Sequence, residues 1–414
     1  MGPIENRSLV AGVWQHIPPI LPLPNSDLIS IHKPITYVVT ALVPMSGNIK
    51  RNRLKSSPNP FSMFNERQSM SLRSEILEQP AVLGNLVADQ MSQVEKIAQA
   101  IRRRDISYIF LAARGTSDNA GRYANYLWGA INRMPLALAT PSLFTLYQTP
   151  PRLKGALVVG ISQSGESPDI VSVLAEARGQ DCLTLAITNA PASPLACEAD
   201  YVIDIHCGVE SAVAATKTYT GEMMAIAMLA VALSNDHAHT LDLEAVPGWM
   251  TQALATEERI VRLAERYRYM DQCVVLGRGY NYCTAFEWSL KLKELTYVVA
   301  DPYSSADFLH GPIAMVDQGF PVMAVAPGGS VYQTMLELLQ RLRNQHAAEL
   351  LVISDRDEAL QLAQSPINLP SEIPEWLTPL VSIVQAQLFS YYLALTKGYD
   401  TEKPRSLHKV TRTE

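Results

Sequence analysis

The chain has 414 residues, a formal net charge of −6, 48% hydrophobic residues and 18% charged ones. That length exceeds one ordinary domain and suits two, and the composition is that of packed α/β domains rather than a disordered chain. No basic stripe is visible beyond one short N-terminal run, which argues against nucleic acid as a partner, and the apolar runs are too short and broken for a membrane span.

Residues 1–62 stand apart. They hold nine of the 27 prolines and the basic run "KRNRLK", Lys50 to Lys55. Proline at this density opposes regular elements. No signal-peptide pattern is present. The segment reads as a disordered or non-native extension ahead of a start at Met63 or Met70. The five cysteines, Cys182, Cys197, Cys207, Cys273 and Cys283, form no Cys-x-x-Cys pair. They read as reduced core cysteines of a cytoplasmic protein, without a disulfide framework or a zinc site. His237 and His239 in "NDHAHT" read as an exposed loop rather than a metal site.

From Ser71 the texture becomes regular. "SLRSEILEQPAVLGNLVADQMSQVEKIAQAIRR" reads as two helices broken at Pro80. "YIFLAARGTSDNAGRYANYLWGAI" reads as strand, turn, helix, and "ALVVGISQSGESPDIVSVLAEARG" repeats the scheme. "CLTLAITN" and "YVIDIHC" add strands, and "SAVAATKTYTGEMMAIAMLAVAL" is a long helical stretch. The order then returns in "CVVLGRGYNYCTAFEWSLKLKELTYVV", "PVMAVAPGGSVYQTMLELLQRLRNQ" and "ELLVISD". Arg114-Gly115 and Arg278-Gly279 close the first strand of each half, at an offset of 278 − 114 = 164 residues. Alternating strands and helices imply parallel sheets with right-handed crossovers. The expected fold is therefore α/β, with two tandem doubly wound, flavodoxin-like parallel sheets. The expected boundaries are 63–240 and 241–400, followed by a tail over 401–414.

Ligands of such folds sit beyond the carboxyl ends of the strands. "GISQSGESPDI", residues 160–170, lies at that edge. Ser167 before Pro168 makes a good helix start. That leaves Ser162, Gln163 and Ser164 without a local task, and a helix N-terminus with extra hydroxyls is an anion site. Gly165 lets the backbone approach a ligand closely. Further on, Glu287, Lys291 and Glu294 share one helix face, with Trp288, Leu292 and Leu295 on another. Spacing alone favours a solvated Glu287–Lys291 pair worth about 0.3–0.5 kcal/mol. Alone, His310 would be a loop histidine and Lys409 a solvated tail charge.

"ISQSGESPDIV" resembles the phosphosugar signature of the sugar isomerase (SIS) family. "LGRGYNYCTAFEWSLKLKELTYVVADPYSSADFLHGPIAMV" and the tail "KPRSLHKVTRTE" resemble the isomerase half of glucosamine-6-phosphate synthases. The resemblance runs from Ser71 to the end. It implies two SIS domains in tandem, a homodimer, and sugar-phosphate isomerisation without a metal or other cofactor. It places the phosphate on Thr116, Ser162, Gln163, Ser164 and Ser167, the last replacing the family's usual threonine, with Ser117 also among the substrate-binding residues. Lys291 and the Val213 backbone would touch the sugar. Glu294 matches the base that moves a proton between C1 and C2. His310 matches the ring-opening histidine, given by the other subunit, and Lys409 matches the lysine that meets the open-chain sugar.

Two departures point to stand-alone deaminases and isomerases. Arg114 stands in "RGTS" where the synthases have cysteine, and "ATK", Ala215 to Lys217, replaces "STK". No cysteine precedes Cys182, so no glutaminase nucleophile is present there. The activity implied is conversion of glucosamine 6-phosphate to fructose 6-phosphate and ammonia. The alternatives are another amino-sugar or fructosamine-6-phosphate isomerase or deglycase, an ammonia-fed aminotransferase, and a non-catalytic phosphosugar sensor. Arg114 and Lys217 could each meet phosphate or a carboxylate.

Overall fold

The computed structural model describes residues 71–234 and 238–409. The readings of residues 1–62, of His237 and of the last five tail residues lie outside the described residues. Helix α1 (Ser71–Leu77) is followed at once by α2 (Gln79–Arg102). The break is at Glu78, and Pro80 sits in the first turn of α2, where its missing N–H costs nothing.

Each of two sheets has five parallel strands. The first comprises β1 (Tyr108–Ala112), β2 (Leu136–Leu138), β3 (Ala156–Ile161), β4 (Leu183–Thr188) and β5 (Tyr201–Asp204) in the order β2-β1-β3-β4-β5. Its helices are α3 (Gly115–Asn132), α4 (Ser142–Thr145), α5 (Pro168–Gly179), α6 (Pro194–Cys197) and α7 (Lys217–Ser234). Helices α8 (Ala238–Leu254) and α9 (Glu257–Arg266) lead to the second sheet. That sheet holds β6 (Gln272–Gly277), β7 (Val299–Ser304), β8 (Pro321–Val325), β9 (Glu349–Ser354) and β10 (Ser365–Asn368), in the order β10-β9-β8-β6-β7. Its helices are α10 (Tyr282–Thr296), α11 (Ser305–Leu309), α12 (Tyr332–Gln345), α13 (Asp357–Leu362) and α14 (Thr378–Thr396). Read from either side, both sheets follow the same flavodoxin-like winding, with the chain reversing direction between β1 and β3 and between β6 and β8.

The echo of the two halves extends to backbone angles. Arg114 and Arg278 are extended (φ −139° and −151°), and Gly115 and Gly279 are left-handed (φ +53° and +60°). Each pair turns a strand into a helix through a conformation that a side chain disfavours. The structure adds strands that the pattern does not reveal. β2, β7 and β10 are edge strands, and β7 and β10 each carry a proline, Pro302 and Pro366. An edge tolerates proline because one side of the strand donates to no neighbour. Helix α14 is also invisible to periodicity, because it is buried on every side. Several of its buried polar atoms find partners: Gln385 Nε2 donates to the Asn368 carbonyl at 2.8 Å and Ser382 Oγ to Asn281 Oδ1 at 3.0 Å.

Two sequence readings need correction. His239 belongs to α8 rather than a loop, with its ring edge-on to Trp376 at 5.3 Å. All five cysteines are free, but Cys197 is exposed rather than in the core. No helix among the described residues is long and apolar enough to cross a membrane.

Candidate active site

The loop from β3 to α5 carries the first half of the site. Ser162 Oγ accepts from the Gly165 N–H at 3.1 Å, and Ser164 Oγ accepts from the Glu166 N–H at 3.3 Å. Neither hydroxyl donates to a protein group among the described residues, so each retains its hydrogen for a ligand. Ser167 is the N-cap of α5 and Pro168 its first residue, but the Ser167 side chain makes no cap bond. The helix start therefore does not account for that hydroxyl. Gly165 has φ +63°, and a Cβ there would lie 2.0 Å from Ser193 Oγ. Gly165→Ala is expected to displace the loop and weaken the binding of an anion such as inorganic phosphate there by at least roughly tenfold, since such backbone strain costs about 1–3 kcal/mol. Isothermal calorimetry would check this.

The second half lies on α10 and touches the first domain at Thr116, in the first turn of α3. Thr116 Oγ1 is 3.2 Å from Glu287 Oε1 and 3.4 Å from Lys291 Nζ. Lys291 Nζ lies 3.3 Å from Glu287 Oε1 and 2.5 Å from Glu294 Oε2. Asn119 Nδ2 donates to Glu287 Oε2 at 2.8 Å. Glu287 and Lys291 are fully buried and Glu294 keeps a 21% exposed side chain. The solvated Glu287–Lys291 pair that spacing alone favours is thus overturned. The apolar stripe of Trp288, Leu292 and Leu295 buries that flank, and α3 and α14 cover the helix. Glu294 is the member of the three that reaches solvent.

Burial pushes the Glu287 carboxyl up to about 7, with Lys291 opposing and Glu294 adding to the rise. Lys291 remains an ammonium: burial opposes its charge, but the two carboxylates outweigh it and raise its pKa. Folding therefore favours the protonated form of Glu287. The folded state binds more protons than the unfolded one between about pH 4.5 and 7, so Glu287 contributes a loss of stability as pH rises through that window. Glu287→Gln is expected to flatten the fall, by on the order of 1 kcal/mol per pH unit at its steepest. Thermal melts at pH 5 and pH 8 would detect the change.

The other expected residues fall in different places. Ser117 is buried, and its hydroxyl is committed to Glu222 Oε1 at 2.8 Å. Glu222, missed from sequence, is fully buried, and burial holds it well above the usual carboxylate range. Gln163 Nε2 donates to Glu210 Oε2 at 3.0 Å. Lys409 Nζ reaches the same oxygen at 2.8 Å and the Ala212 carbonyl at 2.6 Å, which brings the tail beside Val213. A cleft of about 630 Å³ opens there, lined by Gln163, Ser164, His206, Glu210 and Lys409 among others. Arg114 pairs with buried Asp169 at 2.7 Å, and Lys217 pairs with Glu78, so both are held by carboxylates. His310 is exposed at the end of α11, and its ring makes no hydrogen bond among the described residues. It is not brought into the Glu294 cluster. Among the described residues no group of three or more His, Cys, Asp or Glu side chains is placed to hold a metal ion.

The family model for the SIS domain matches residues 104–232 and 268–397, one copy over each sheet. The chain belongs to the SIS domain family. It is 33% identical over 353 residues to the glutamine–fructose-6-phosphate aminotransferase (isomerizing) of Thermus thermophilus, covering 82% of this chain and 58% of that one. The chain thus spans somewhat over half the length of such relatives. The C-terminal domain of the glucosamine-fructose-6-phosphate aminotransferase of Francisella tularensis matches with a TM-score of 0.75 and 28% identity, over 82% of this chain and 99% of that domain. The glucosamine-6-phosphate deaminase of Thermotoga maritima shares the fold, with a TM-score of 0.67 at 19% identity over 83% of this chain and 100% of that one. In this SIS chain the hydroxyl-rich loop belongs to the first copy and the Glu287–Lys291–Glu294 cluster to the second.

Proposed function

We propose that this SIS chain is a phosphosugar aldose–ketose isomerase that works as a glucosamine-6-phosphate deaminase. The observation that carries the reading is the Thr116 bridge. It joins the domain of a loop with two undirected serine hydroxyls to a buried ammonium flanked by two carboxylates, one of them partly open. Phosphate is held by Ser162, Ser164, Ser167 and the Gln163 region at the start of α5, where charge-assisted bonds each contribute about 1.5–3 kcal/mol. Glu294 takes the C2 proton of the open-chain amino aldose and returns it to C1. The aldehyde oxygen gains a proton and becomes the C1 hydroxyl, and the C2 amine becomes an imine. Water adds at C2, ammonia leaves, and fructose 6-phosphate remains. Lys291 orients Glu294 through their ion pair, and Lys409 meets the open-chain oxygens.

His310 opens the ring, and its exposed place on α11 supports a role in a neighbouring subunit's site within a homodimer. Mixing Glu294→Gln with His310→Ala protomers then gives one intact site per heterodimer, and random pairing restores about a quarter of the activity. Absence of recovery in a heterodimer verified by mass would place both residues in one subunit's site.

The names of the relatives favour a second reading, amination of fructose 6-phosphate with ammonia. One assay separates the readings. The protein is given glucosamine 6-phosphate without glutamine, and ammonia and fructose 6-phosphate are followed. Galactosamine 6-phosphate and fructosamine 6-phosphate are run alongside, with the reverse reaction from fructose 6-phosphate and ammonium. Turnover of none of these would overturn the enzymatic reading in favour of a sensor.

A further inference from the structure

Glu210 lies in the loop between β5 and α7, and its side chain is wholly buried. Its two oxygens do different things. Oε1 accepts from the backbone N–H of Thr216 at 2.9 Å and of Thr218 at 3.2 Å, at the positive end of the α7 dipole. Oε2 accepts from Thr218 Oγ1 at 2.8 Å, from Gln163 Nε2 at 3.0 Å and from Lys409 Nζ at 2.8 Å. One oxygen atom is therefore shared by the phosphate loop and the tail.

The far end of the tail is fixed elsewhere. The Arg405 guanidinium lies 4.2 Å from the Tyr297 ring centroid, and the Arg405 N–H donates to Tyr297 Oη at 2.9 Å. Tyr297 is the C-cap of α10, less than one turn beyond Glu294. The segment from Arg405 to Lys409 thus spans from the helix of Glu294 to the Gln163 loop. Lys409 keeps a 26% exposed side chain and lines the cleft with Ser164.

We propose that Glu210 is a positioning residue that couples the phosphate loop to the C-terminal tail, so that gripping a phosphate and seating Lys409 reinforce each other. The proposal rests on the phosphosugar site described above. Burial alone would push the Glu210 carboxyl up, yet Lys409 and the surrounding donors hold it below its ordinary value, so it stays an anion. Release of the tail leaves that buried anion with one cation fewer, which is costly. The cost falls on the oxygen that also orients Gln163. Conversely, a phosphate that orders Gln163 fixes the acceptor on which Lys409 rests. The two groups make the coupling without touching one another.

The test is a double-mutant cycle on fructose 6-phosphate binding by calorimetry, using Gln163→Ala and Lys409→Ala, both of which leave Glu210 in place. Each single variant is expected to weaken binding roughly tenfold, and the double by about the same factor rather than by their product. In a Glu210→Gln background the two substitutions should act independently or not at all. Additive losses with Glu210 present would overturn the proposal.

A second arm needs no ligand: trypsin cleavage within the tail, after Arg405 and Lys409, read by mass. Gln163→Ala should speed tail cleavage in the free protein at unchanged melting temperature, which a merely structural role of Glu210 would not produce. An unchanged cleavage rate would overturn the coupling. If the wild type binds no sugar phosphate at all, the functional reading fails, and the cleavage arm still decides the coupling.

Discussion

Glu294→Gln is expected to abolish exchange of the C2 proton of glucosamine 6-phosphate with deuterated water while leaving sugar-phosphate affinity near that of the wild type. Glutamine has the shape of glutamate, and the 21% exposed side chain makes one strong bond, to Lys291. The fold loses little. The reaction loses its only partly open carboxylate on α10, since Glu287 is fully buried. General-base contributions run to about 10²–10⁴-fold, so turnover should fall by at least that factor. On the proposed reading the phosphate is gripped at the β3–α5 loop and not at Glu294, so affinity is spared, since interactions equal in ground and transition states govern KM rather than kcat. Proton exchange is followed by NMR in deuterated buffer. Exchange that continues in the variant would remove Glu294 from the base role.

Lys291→Ala is expected to damage stability first and catalysis as a consequence. The side chain is buried between Glu287 and Glu294. Removing one partner of a buried ion pair leaves an uncompensated charge and costs about 3–5 kcal/mol. Part of this is relieved by proton uptake at Glu287, whose carboxyl already stands at about 7. The variant should therefore be less destabilised at pH 5 than at pH 8. Adding Glu287→Gln should recover part of the lost stability at pH 8 without recovering activity. Denaturant unfolding of the four proteins at both pH values checks the pattern. A variant as stable as the wild type at pH 8 would show that solvent reaches the cluster.

Much of the molecule was legible because its signals are local. Continuous apolar strands such as "ALVVGI" and "LTLAIT" are buried on both faces, which is what an all-parallel interior demands of them. The serine-rich junction stood out in the sequence, because three polar residues at a strand–helix turn exceed what one cap uses. The Arg-Gly pairs at an interval of 164 residues revealed the duplication that the two sheet orders display.

Tertiary structure decided the rest. Edge strands β2, β7 and β10 are short or carry proline, and only a neighbour's hydrogen bonds make them strands. Spacing put Glu287 and Lys291 on one face, but that face is as compatible with water as with a core. The packing of α10 against α3 and α14 made the pair buried, and burial moves Glu287 toward neutrality. Glu210 carried no local pattern at all. Its place depends on residues as distant in the chain as Gln163 and Lys409, which only the folded chain brings to one carboxylate oxygen. By itself the sequence determined the interior strands, the helices with a periodic face and the hydroxyl-rich turn between β3 and α5. The fold decided which charges lose water, because desolvation depends on what covers a residue and not on its neighbours in the chain.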